Sequence, residues 1–185
     1  MDSVLYPNLC PADLGCAVRH RIAALVQSST MEKRLIEGVQ LKPLVAHADE
    51  RGYLMELLRC DDPIFQKFGQ AYVSLNYPGV IRAWHWHEKQ TDYWVVVKGM
   101  VKAVLYDRRP ESPTYGMINE FFLGEQNRVL LVIPPLVAHG YKTIGVEPSL
   151  LINFPTEPYN RERPDELRLP YNTPEIPYDW EIRMG

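Results

Sequence analysis

Short runs of β-branched and aromatic residues dominate the chain from Val39 onward, and clusters of turn-forming residues separate them. Such runs predict β-strands rather than helices. The clearest are LKPLVAH, YLMELLR, AYVSLNY, IRAWHWH, DYWVVVKG, VKAVLYD, MINEFFLG, RVLLVIP, YKTIG and SLLINFP. Turn signals such as Pro78-Gly79 and Lys98-Gly99 lie between them. Many short strands at regular spacing predict an all-β sandwich or barrel.

The two ends of the chain differ from this β-rich part. Residues 12–36 carry helix formers with apolar residues at helical spacing, which predicts a helical N-terminal extension over residues 1–37. After Pro155 the sequence is polar and rich in proline, which excludes a long helix or a central strand. We expect residues 38–185 to form the barrel domain, with this tail wrapped around it and anchored by Tyr178 and Trp180.

Composition narrows the class of protein. The 185 residues, 46% of them hydrophobic and 23% charged, suffice for one sizeable core. A formal net charge of −3 without a basic stripe argues against a nucleic acid partner. The sequence contains no run of 18 apolar residues, the length that would predict a membrane span. The first residues lack the features of a secretory signal, so we expect a cytoplasmic protein. The three cysteines show no CxxC spacing, which argues against a thiolate metal site.

Three of the five histidines fall in one pattern with Asp92. His85 and His87 lie two apart on a predicted strand, so they share one face about 6.6 Å apart along the backbone. Asp92 and His139 add two donors from neighbouring strands. Three imidazoles and one carboxylate suit a divalent transition metal such as Zn, Fe, Mn, Ni or Cu, and leave positions open for water or substrate. A His-x-His pair alone could instead be two strand residues satisfied by hydrogen bonds.

The wider spacing resembles the two-part signature of the cupin superfamily. Its first part would comprise Gly79, His85, His87, Asp92 and Gly99, and its second part residues 134–139. The resemblance implies a double-stranded β-helix, or jelly-roll barrel, that brings these strands together. The second part of the signature often carries a glycine where this chain has Leu136.

Four stretches resemble the dTDP-4-dehydrorhamnose 3,5-epimerases and related nucleotide-sugar cupins: DERGYLMEL, QAYVSLNYPGVIRAWHWH, VVVKGMVKAVLYDRRPESPTYG and LLVIPPLVAHGY. The resemblance covers residues 38–182. It implies that Arg51 and Arg82 contact a nucleotide diphosphate, that Gln70 and Ser74 are polar residues of the same site, and that Glu56 lies near the base of the nucleotide. Because a guanidinium is the preferred bidentate partner of phosphate, chemistry supports the two arginines independently. The resemblance also implies a homodimer.

The family removes a proton beside a ketone and then reprotonates the carbon from the other face. By resemblance His85 stands at the position of the base, and an ordinary imidazole pKa of about 6.5 suits that task. The other catalytic positions depart from the family. Asp92 stands where a lysine stabilises the enolate, Asn153 where a tyrosine acts as the acid, and Thr173 where an aspartate orients the base. His87 stands where glutamine is common.

These departures favour a metal in place of an organic electrophile. A lysine ammonium would be repelled by a metal cation, whereas a bound ion could polarise the carbonyl itself. If His85 binds the ion it cannot also take a proton, and Glu88, Tyr72, Tyr93 or a metal-bound hydroxide would then be the base. The residues assigned to catalysis are His85, Asp92, Tyr93 and His139, and those assigned to the substrate are Arg51, Glu56, Gln70, Ser74, Arg82 and Asn153.

Three functions remain open from the sequence. The first is a metal-assisted isomerase or epimerase that acts beside a carbonyl of a nucleotide-linked deoxysugar or a similar small oxo substrate. The second is an iron-dependent cupin oxygenase that acts on a small molecule, since the same ligand set permits that chemistry. The third is a non-catalytic sugar-nucleotide binder. A fold alone does not decide among them, because the chemistry depends on the site.

Overall fold

The computed structural model describes residues 34–183, and within this range the chain forms strands, turns and loops without an α-helix. Among these residues, accordingly, no helix is long and apolar enough to cross a membrane. The compact unit described here begins at Leu35. The predicted N-terminal helical extension lies outside the described residues except for its last four, 34–37, which are not helical.

Twelve β-strands make up the regular structure of the described residues. They are β1 (Gln40–Pro43), β2 (Ala46–Asp49), β3 (Gly52–Met55), β4 (Tyr72–Asn76), β5 (Ile81–Trp86), β6 (Asp92–Lys98), β7 (Met100–Asp107), β8 (Ile118–Gly124), β9 (Val129–Ile133), β10 (Val137–Ile144), β11 (Ser149–Asn153) and β12 (Leu167–Arg168). Two five-stranded sheets have the orders β1-β9-β6-β11-β4 and β12-β5-β10-β7-β8, and β2 and β3 form a separate hairpin. All pairings are antiparallel. The predicted jelly-roll barrel is confirmed.

The main core lies between the two sheets. Alternate residues of β6 and β7 point into it, including Trp94 and Val96 from one sheet and Val101, Ala103 and Leu105 from the other. The intervening residues of the same strands pack into two smaller clusters on the outer faces. Because the central strands are covered on both faces, their sequences are continuous apolar runs rather than alternating ones.

The proline-rich tail covers the outer face of the second sheet, as the sequence predicts. The rings of Trp180 and Trp84 pack with centroids 5.0 Å apart, and Tyr178 packs edge-on against Trp84 at 6.0 Å. Lys102 and Lys142 each donate a hydrogen bond to the main-chain oxygen of Trp180, at 3.2 and 3.0 Å. The tail is therefore fixed by aromatic packing and by buried ammonium groups.

Three strands differ from their predicted extents, and one was not predicted. The run YLMELLR is a strand only as far as Met55, where β3 ends. The run YKTIG is only the end of β10, which begins at Val137. The prediction missed the first part of this strand because the small residues Ala138 and Gly140 do not show a strand pattern. The run LKPLVAH divides into β1 and β2 at Leu44, which is buried and donates its main-chain N–H to the oxygen of Arg128 at 2.8 Å. Strand β12 has only two residues and carries no period that a sequence pattern could reveal.

A close approach of β5 and β10 brings two histidines into register. His139 pairs with His85, and the register shifts between His139 and Tyr141. At Gly140, inside this irregularity, a Cβ atom would lie 2.3 Å from the Cβ of Ala83 and 2.8 Å from its Cα. Only a glycine lets the two backbones approach this closely, so Gly140 sets the distance between the histidine-bearing strands.

The substitution Gly140→Ala should lower the free energy of unfolding by about 1–3 kcal/mol, because it overpacks a contact that has no free space. Urea unfolding followed by tryptophan fluorescence measures the loss. Ala83→Gly removes the nearest obstructing atom, so the double variant should recover part of that loss in a double-mutant cycle. Strictly additive losses would show that the two residues do not obstruct each other.

Candidate active site

A pocket of about 650 Å³ opens between β4, β5 and the tail segment 158–168. Of the residues predicted to contact the substrate, Gln70, Ser74 and Arg82 line it. Trp94 and Tyr141 reach its wall from inside the barrel. The pocket is large enough for a small ligand and combines aromatic surfaces with polar groups, as binding sites commonly do.

Four predicted ligand residues come together at this pocket. His85 lies on β5, His139 lies opposite on β10, Asp92 is the first residue of β6, and His87 lies in the turn between β5 and β6. One side-chain N or O atom from each residue lies within 4.8 Å of the corresponding atoms of the other three. The ring centroid of His85 is 4.2 Å from that of His139 and 6.1 Å from that of His87. The spacing in the sequence therefore grouped these residues correctly.

The hydrogen bonding of His139 leaves an acceptor atom facing Asp92. Nδ1 of His139 lies 2.9 Å from the main-chain oxygen of Val137, and because a carbonyl oxygen only accepts, Nδ1 carries the proton. In the neutral ring the unprotonated Nε2 then faces Oδ2 of Asp92 at 3.1 Å. Both atoms are buried, and neither has a hydrogen-bond partner among residues 34–183. Two buried acceptors at this distance require a proton or a cation between them.

His87 is oriented in the same way. Its Nδ1 is hydrogen-bonded to the main-chain oxygen of Asp165, so its Nε2 is directed toward Oδ2 of Asp92, 3.4 Å away. The side-chain amide of Gln90 donates to Oδ1 of Asp92 at 2.7 Å and lies 3.1 Å from Nε2 of His87. The atoms that converge on Asp92 Oδ2 thus form a donor set that fits a divalent transition metal.

Burial and neighbouring charges set the protonation of these groups. Burial and the nearby His139 lower the pKa of His85 well below its ordinary value, although Asp92 acts in the opposite direction. Burial raises the pKa of Asp92, but the contacts with His139 and His87 outweigh it and hold the pKa well below the usual range. Burial lowers the pKa of His87, yet Asp92 outweighs burial and raises it overall. The shifts favour the metal-binding forms of His85 and Asp92, a neutral imidazole and an ionised carboxylate, whereas the shift of His87 favours its protonated form, which must lose a proton to bind metal.

Asn153 and Tyr72 form a polar pair beside Asp92. The Asn153 amide donates to Oδ1 of Asp92 and to the hydroxyl oxygen of Tyr72, both at 2.9 Å. Asn153 is buried, so it supports Asp92 from behind rather than facing the pocket. Tyr72 lies opposite Asn153 on β4 and lines the pocket. Burial, together with Asp92, raises the pKa of Tyr72 to about 12, so its hydroxyl is protonated at neutral pH.

Tyr93 does not occupy the place that the sequence suggested. Tyr93 belongs to the outer cluster of the first sheet, on the opposite face of β6 from Asp92, and its hydroxyl donates to the main-chain oxygen of Ile64 at 2.8 Å. This position does not suit a catalytic role. The hydroxyl of Thr173 accepts a hydrogen bond from the main-chain N–H of Glu175 at 3.3 Å, within the tail itself.

Arg51 and Glu56 lie outside the pocket wall of their own chain. Arg51 stands at the turn of the β2–β3 hairpin and pairs with Asp49 at 2.5 Å, with 84% of its side chain exposed. Glu56 pairs with Arg59 at 2.8 Å. Neither residue can contact a substrate bound in this pocket unless another chain supplies the hairpin.

The turn that precedes β10 is tied to the site. Leu136 adopts a φ of 64°, in the left-handed region that favours glycine, which is the reason the signature often has glycine at this position. Its main-chain N–H donates to the oxygen of His87 at 2.7 Å. The turn therefore holds the backbone of His87 even though a leucine occupies it.

Asp165 is a site residue that the sequence did not reveal. Its two carboxylate oxygens accept hydrogen bonds from the main-chain N–H groups of Glu88, Lys89 and Gln90, at 3.0, 3.0 and 3.1 Å. No local pattern marks it, because its partners are distant in sequence and are main-chain groups that any residue supplies. Glu88, a predicted alternative base, is exposed and lies outside the pocket wall.

A jelly-roll barrel that carries a histidine and aspartate cluster at its ligand pocket is the architecture of a cupin enzyme. Comparisons with known proteins define the family more closely. Residues 33–185 match the family model described as dTDP-4-dehydrorhamnose 3,5-epimerase. The spore coat polysaccharide biosynthesis protein SpsL of Bacillus subtilis is 45% identical over 150 residues, which cover 81% of this chain and 99% of that protein.

Solved structures agree with this assignment. The crystal structure of a dTDP sugar isomerase from Desulfovibrio desulfuricans G20 superposes with a TM-score of 0.75 at 36% identity, and the match covers 78% of this chain and 92% of that one. A dTDP-6-deoxy-D-glucose-3,5-epimerase from Legionella pneumophila, crystallised with dTDP-4-keto-L-rhamnose, has a TM-score of 0.71 at 25% identity, with 81% and 82% covered. The chain belongs to the dTDP-4-dehydrorhamnose 3,5-epimerase family and is an enzyme of the epimerase type.

The cluster should bind about one divalent transition-metal ion per chain, because one ligand atom from each of its four residues lies within 4.8 Å of the others. Elemental analysis of protein purified without a histidine tag, followed by calorimetric titration with zinc, measures this. Asp92→Ala and His139→Ala should lose the ion. His47→Ala should retain it, since His47 is exposed on the hairpin outside the cluster. Full occupancy in His139→Ala would rule out this ligand set.

Proposed function

We propose that the protein is a metal-assisted epimerase that inverts one carbon beside the carbonyl of a nucleotide-linked deoxysugar. The observation that carries this proposal is the convergence of three histidines and Asp92 at the pocket of a sugar epimerase family member. Asp92 stands where the family resemblance places a lysine. A carboxylate cannot stabilise a developing enolate directly, but it can hold a cation that does.

His85, His87, Asp92 and His139 would hold the metal. When bound, a divalent ion would polarise the carbonyl and stabilise the negative charge that develops on its oxygen. The remaining tasks, proton transfer and orientation of the substrate, belong to side chains that are not ligands. These side chains must lie in the pocket wall.

Tyr72 is the proton donor in this proposal. Its hydroxyl oxygen accepts a hydrogen bond from Asn153, so its own proton is available to a ligand in the pocket. The raised pKa of about 12 keeps that proton in place at neutral pH. Tyr72 and Asn153 are directly opposite on β4 and β11. The family resemblance places the acidic tyrosine at the position of Asn153. Tyr72, on the neighbouring strand, can therefore donate a proton in the same part of the pocket.

Glu166 is the base in this proposal. The base must line the pocket without being a metal ligand, and the carboxylate of Glu166 does so while it pairs with Arg168 at 2.9 Å. The neighbouring carboxylate of Asp165 already accepts three main-chain hydrogen bonds. One acid and one base suffice to invert one carbon, whereas inversion at two centres requires protonation at both.

Arg82 supports the nucleotide part of the substrate. It lines the pocket, and its Nε donates to the side-chain oxygen of Asn76 at 2.5 Å. This contact fixes the side chain and leaves its remaining N–H groups for a diphosphate. Arg163 and Arg168 line the same pocket, so its arginines exceed the two carboxylates of Asp165 and Glu166 and leave a positive balance for an anionic ligand.

The same proposal includes a homodimer in which the β2–β3 hairpin serves the pocket of a second copy. The hairpin carries exposed apolar side chains, with Tyr53 49% and Leu54 66% exposed. The edge strand β4 likewise exposes Val73 and Leu75. Apolar side chains on an edge strand are typical of surfaces that another chain covers. In such a dimer Arg51 would reach the diphosphate bound by the partner.

Incubation with a dTDP-linked 4-keto-6-deoxy sugar in heavy water should place one deuterium in the sugar, and only in the metal-loaded protein. Mass spectrometry measures the incorporation. Tyr72→Phe and Glu166→Gln should each slow it by about 10²–10⁴-fold, the range for loss of a general acid or base. Matched controls are Tyr115→Phe, at an exposed ring, and Glu162→Gln, an exposed carboxylate on the same tail segment.

Two results would replace this mechanism. Two deuteriums in metal-free protein would restore the family reaction, with the neutral His85 as the base. No deuterium under any condition, combined with oxygen uptake in the presence of iron, would indicate an oxygenase.

A nucleoside diphosphate such as dTDP should raise the melting temperature, because it binds the native state and not the unfolded chain. Arg82→Ala and Arg51→Ala should each weaken this binding by about 1–3 kcal/mol, the range for a hydrogen bond to a charged group. Lys98→Ala is the control, because Lys98 is an exposed cation at the end of β6, outside both the pocket wall and the hairpin. An unchanged Arg82→Ala would move the diphosphate elsewhere, and an unchanged Arg51→Ala would exclude the exchanged hairpin.

A further inference from the structure

The turn between β5 and β6 carries His87, and the tail holds this turn. Three successive main-chain N–H groups, those of Glu88, Lys89 and Gln90, point at the carboxylate of Asp165. Hydrogen bonds to an ionised acceptor are stronger than those between neutral groups. Because the three donors follow one another along the chain, a single side chain determines the path of the whole turn.

The main chain of the same residue contacts the His87 ring. The carbonyl oxygen of Asp165 is hydrogen-bonded to Nδ1 of His87. Since the carbonyl only accepts, this contact places a proton on Nδ1, and in the neutral ring it selects the tautomer whose unprotonated Nε2 faces Asp92. The other tautomer would place two acceptors against each other at Nδ1.

The following tail residues extend this support to the next histidine. Leu167 pairs with Trp86, and Arg168 pairs with His85, in the short ladder between β12 and β5. Residues 165–168 therefore run alongside both histidines of the His-x-His pair. A shift of this segment would alter the orientation of the His87 ring and the end of β5 together.

We propose that Asp165 is a positioning residue that fixes the tautomer and the orientation of His87 from the tail. Its carboxylate holds residues 88–90, and its carbonyl oxygen, placed by that anchor, holds the imidazole. The inference rests on the proposed function only in that His87 is taken to be a metal ligand. The contacts themselves are independent of any metal. Groups that orient a ligand histidine in this way strengthen its binding and define which nitrogen is available.

The test uses the metal-free full-length protein. Long-range ¹H–¹⁵N spectra of the imidazoles are recorded at a pH high enough for the His87 ring to be neutral despite its raised pKa. They should show one tautomer at His87 in the parent chain and a mixture of both in Asp165→Ala. Amide hydrogen exchange at residues 88–90 should accelerate by about tenfold or more, because the donors lose their acceptor. The tautomer of His139, which the Val137 oxygen sets, should stay unchanged and is the internal control.

Glu162→Ala is the matched variant, since it removes an exposed carboxylate from the same tail segment, and it should leave both readouts unchanged. In chelator competition, Asp165→Ala should weaken zinc binding by about 10–100-fold, the usual effect of removing a group that orients a ligand. Asp165→Asn keeps the shape of the side chain but not its charge, so it should change the His87 tautomer, the amide exchange and the zinc affinity in the same direction. This variant replaces Asp165→Ala in the test if the alanine variant does not fold.

The outcomes separate this inference from the proposed function. An unchanged His87 tautomer together with unchanged amide exchange in folded Asp165→Ala would overturn the positioning role, whatever the metal content. If the parent protein binds no metal, but Asp165→Ala still changes the His87 tautomer, the metal-assisted function is overturned and the positioning role is left intact.

Discussion

A buried carboxylate governs the arrangement of this site. Asp92 is buried, with 1% of its surface exposed. An ionised carboxylate in the protein interior costs free energy unless other groups compensate its charge. Oδ1 is satisfied by the amides of Gln90 and Asn153. Oδ2 faces His87 and His139. The first oxygen is fixed by the fold, and the second is left for whatever binds between the imidazoles.

The rest of the barrel brings these groups together. Gly140 lets β10 approach β5 until His139 stands beside His85. The turn at Leu136 holds the backbone of His87 from one side, and Asp165 holds the turn of His87 from the other. The proline-rich tail is thus part of the site as well as a cover for the second sheet.

The sequence could predict the barrel and the ligand cluster for physical reasons. Strands have a period of two, which predicted His85 and His87 on one face, and their residue types are those of metal ligands. His87 lies just beyond the end of β5, yet its ring still converges with that of His85 at a centroid distance of 6.1 Å. The same alternation places Tyr93 on the opposite face from Asp92, a consequence of strand geometry that the assignment of Tyr93 to catalysis neglected. For Arg51, a family resemblance identifies the residue in the sequence. It does not say whether the residue contacts the pocket of its own chain or that of a second copy. Asp165 acts through main-chain partners that leave no trace in a sequence.

The charge at the position of Asp92 limits the possible chemistry. An enolate forms more readily next to a positive charge, and the family resemblance places a lysine ammonium there. A divalent ion held by one carboxylate and neutral imidazoles carries one net positive charge, which equals that of the ammonium. Without the ion, Asp92 can only pair with a protonated histidine such as His87, whose pKa is raised, and that pair is neutral overall. A neutral pair stabilises an enolate less than a cation does. The substitution of a carboxylate for lysine is therefore compatible with an epimerase when a cation restores the lost charge, and the two imidazole nitrogens directed at Asp92 lie where that cation would bind.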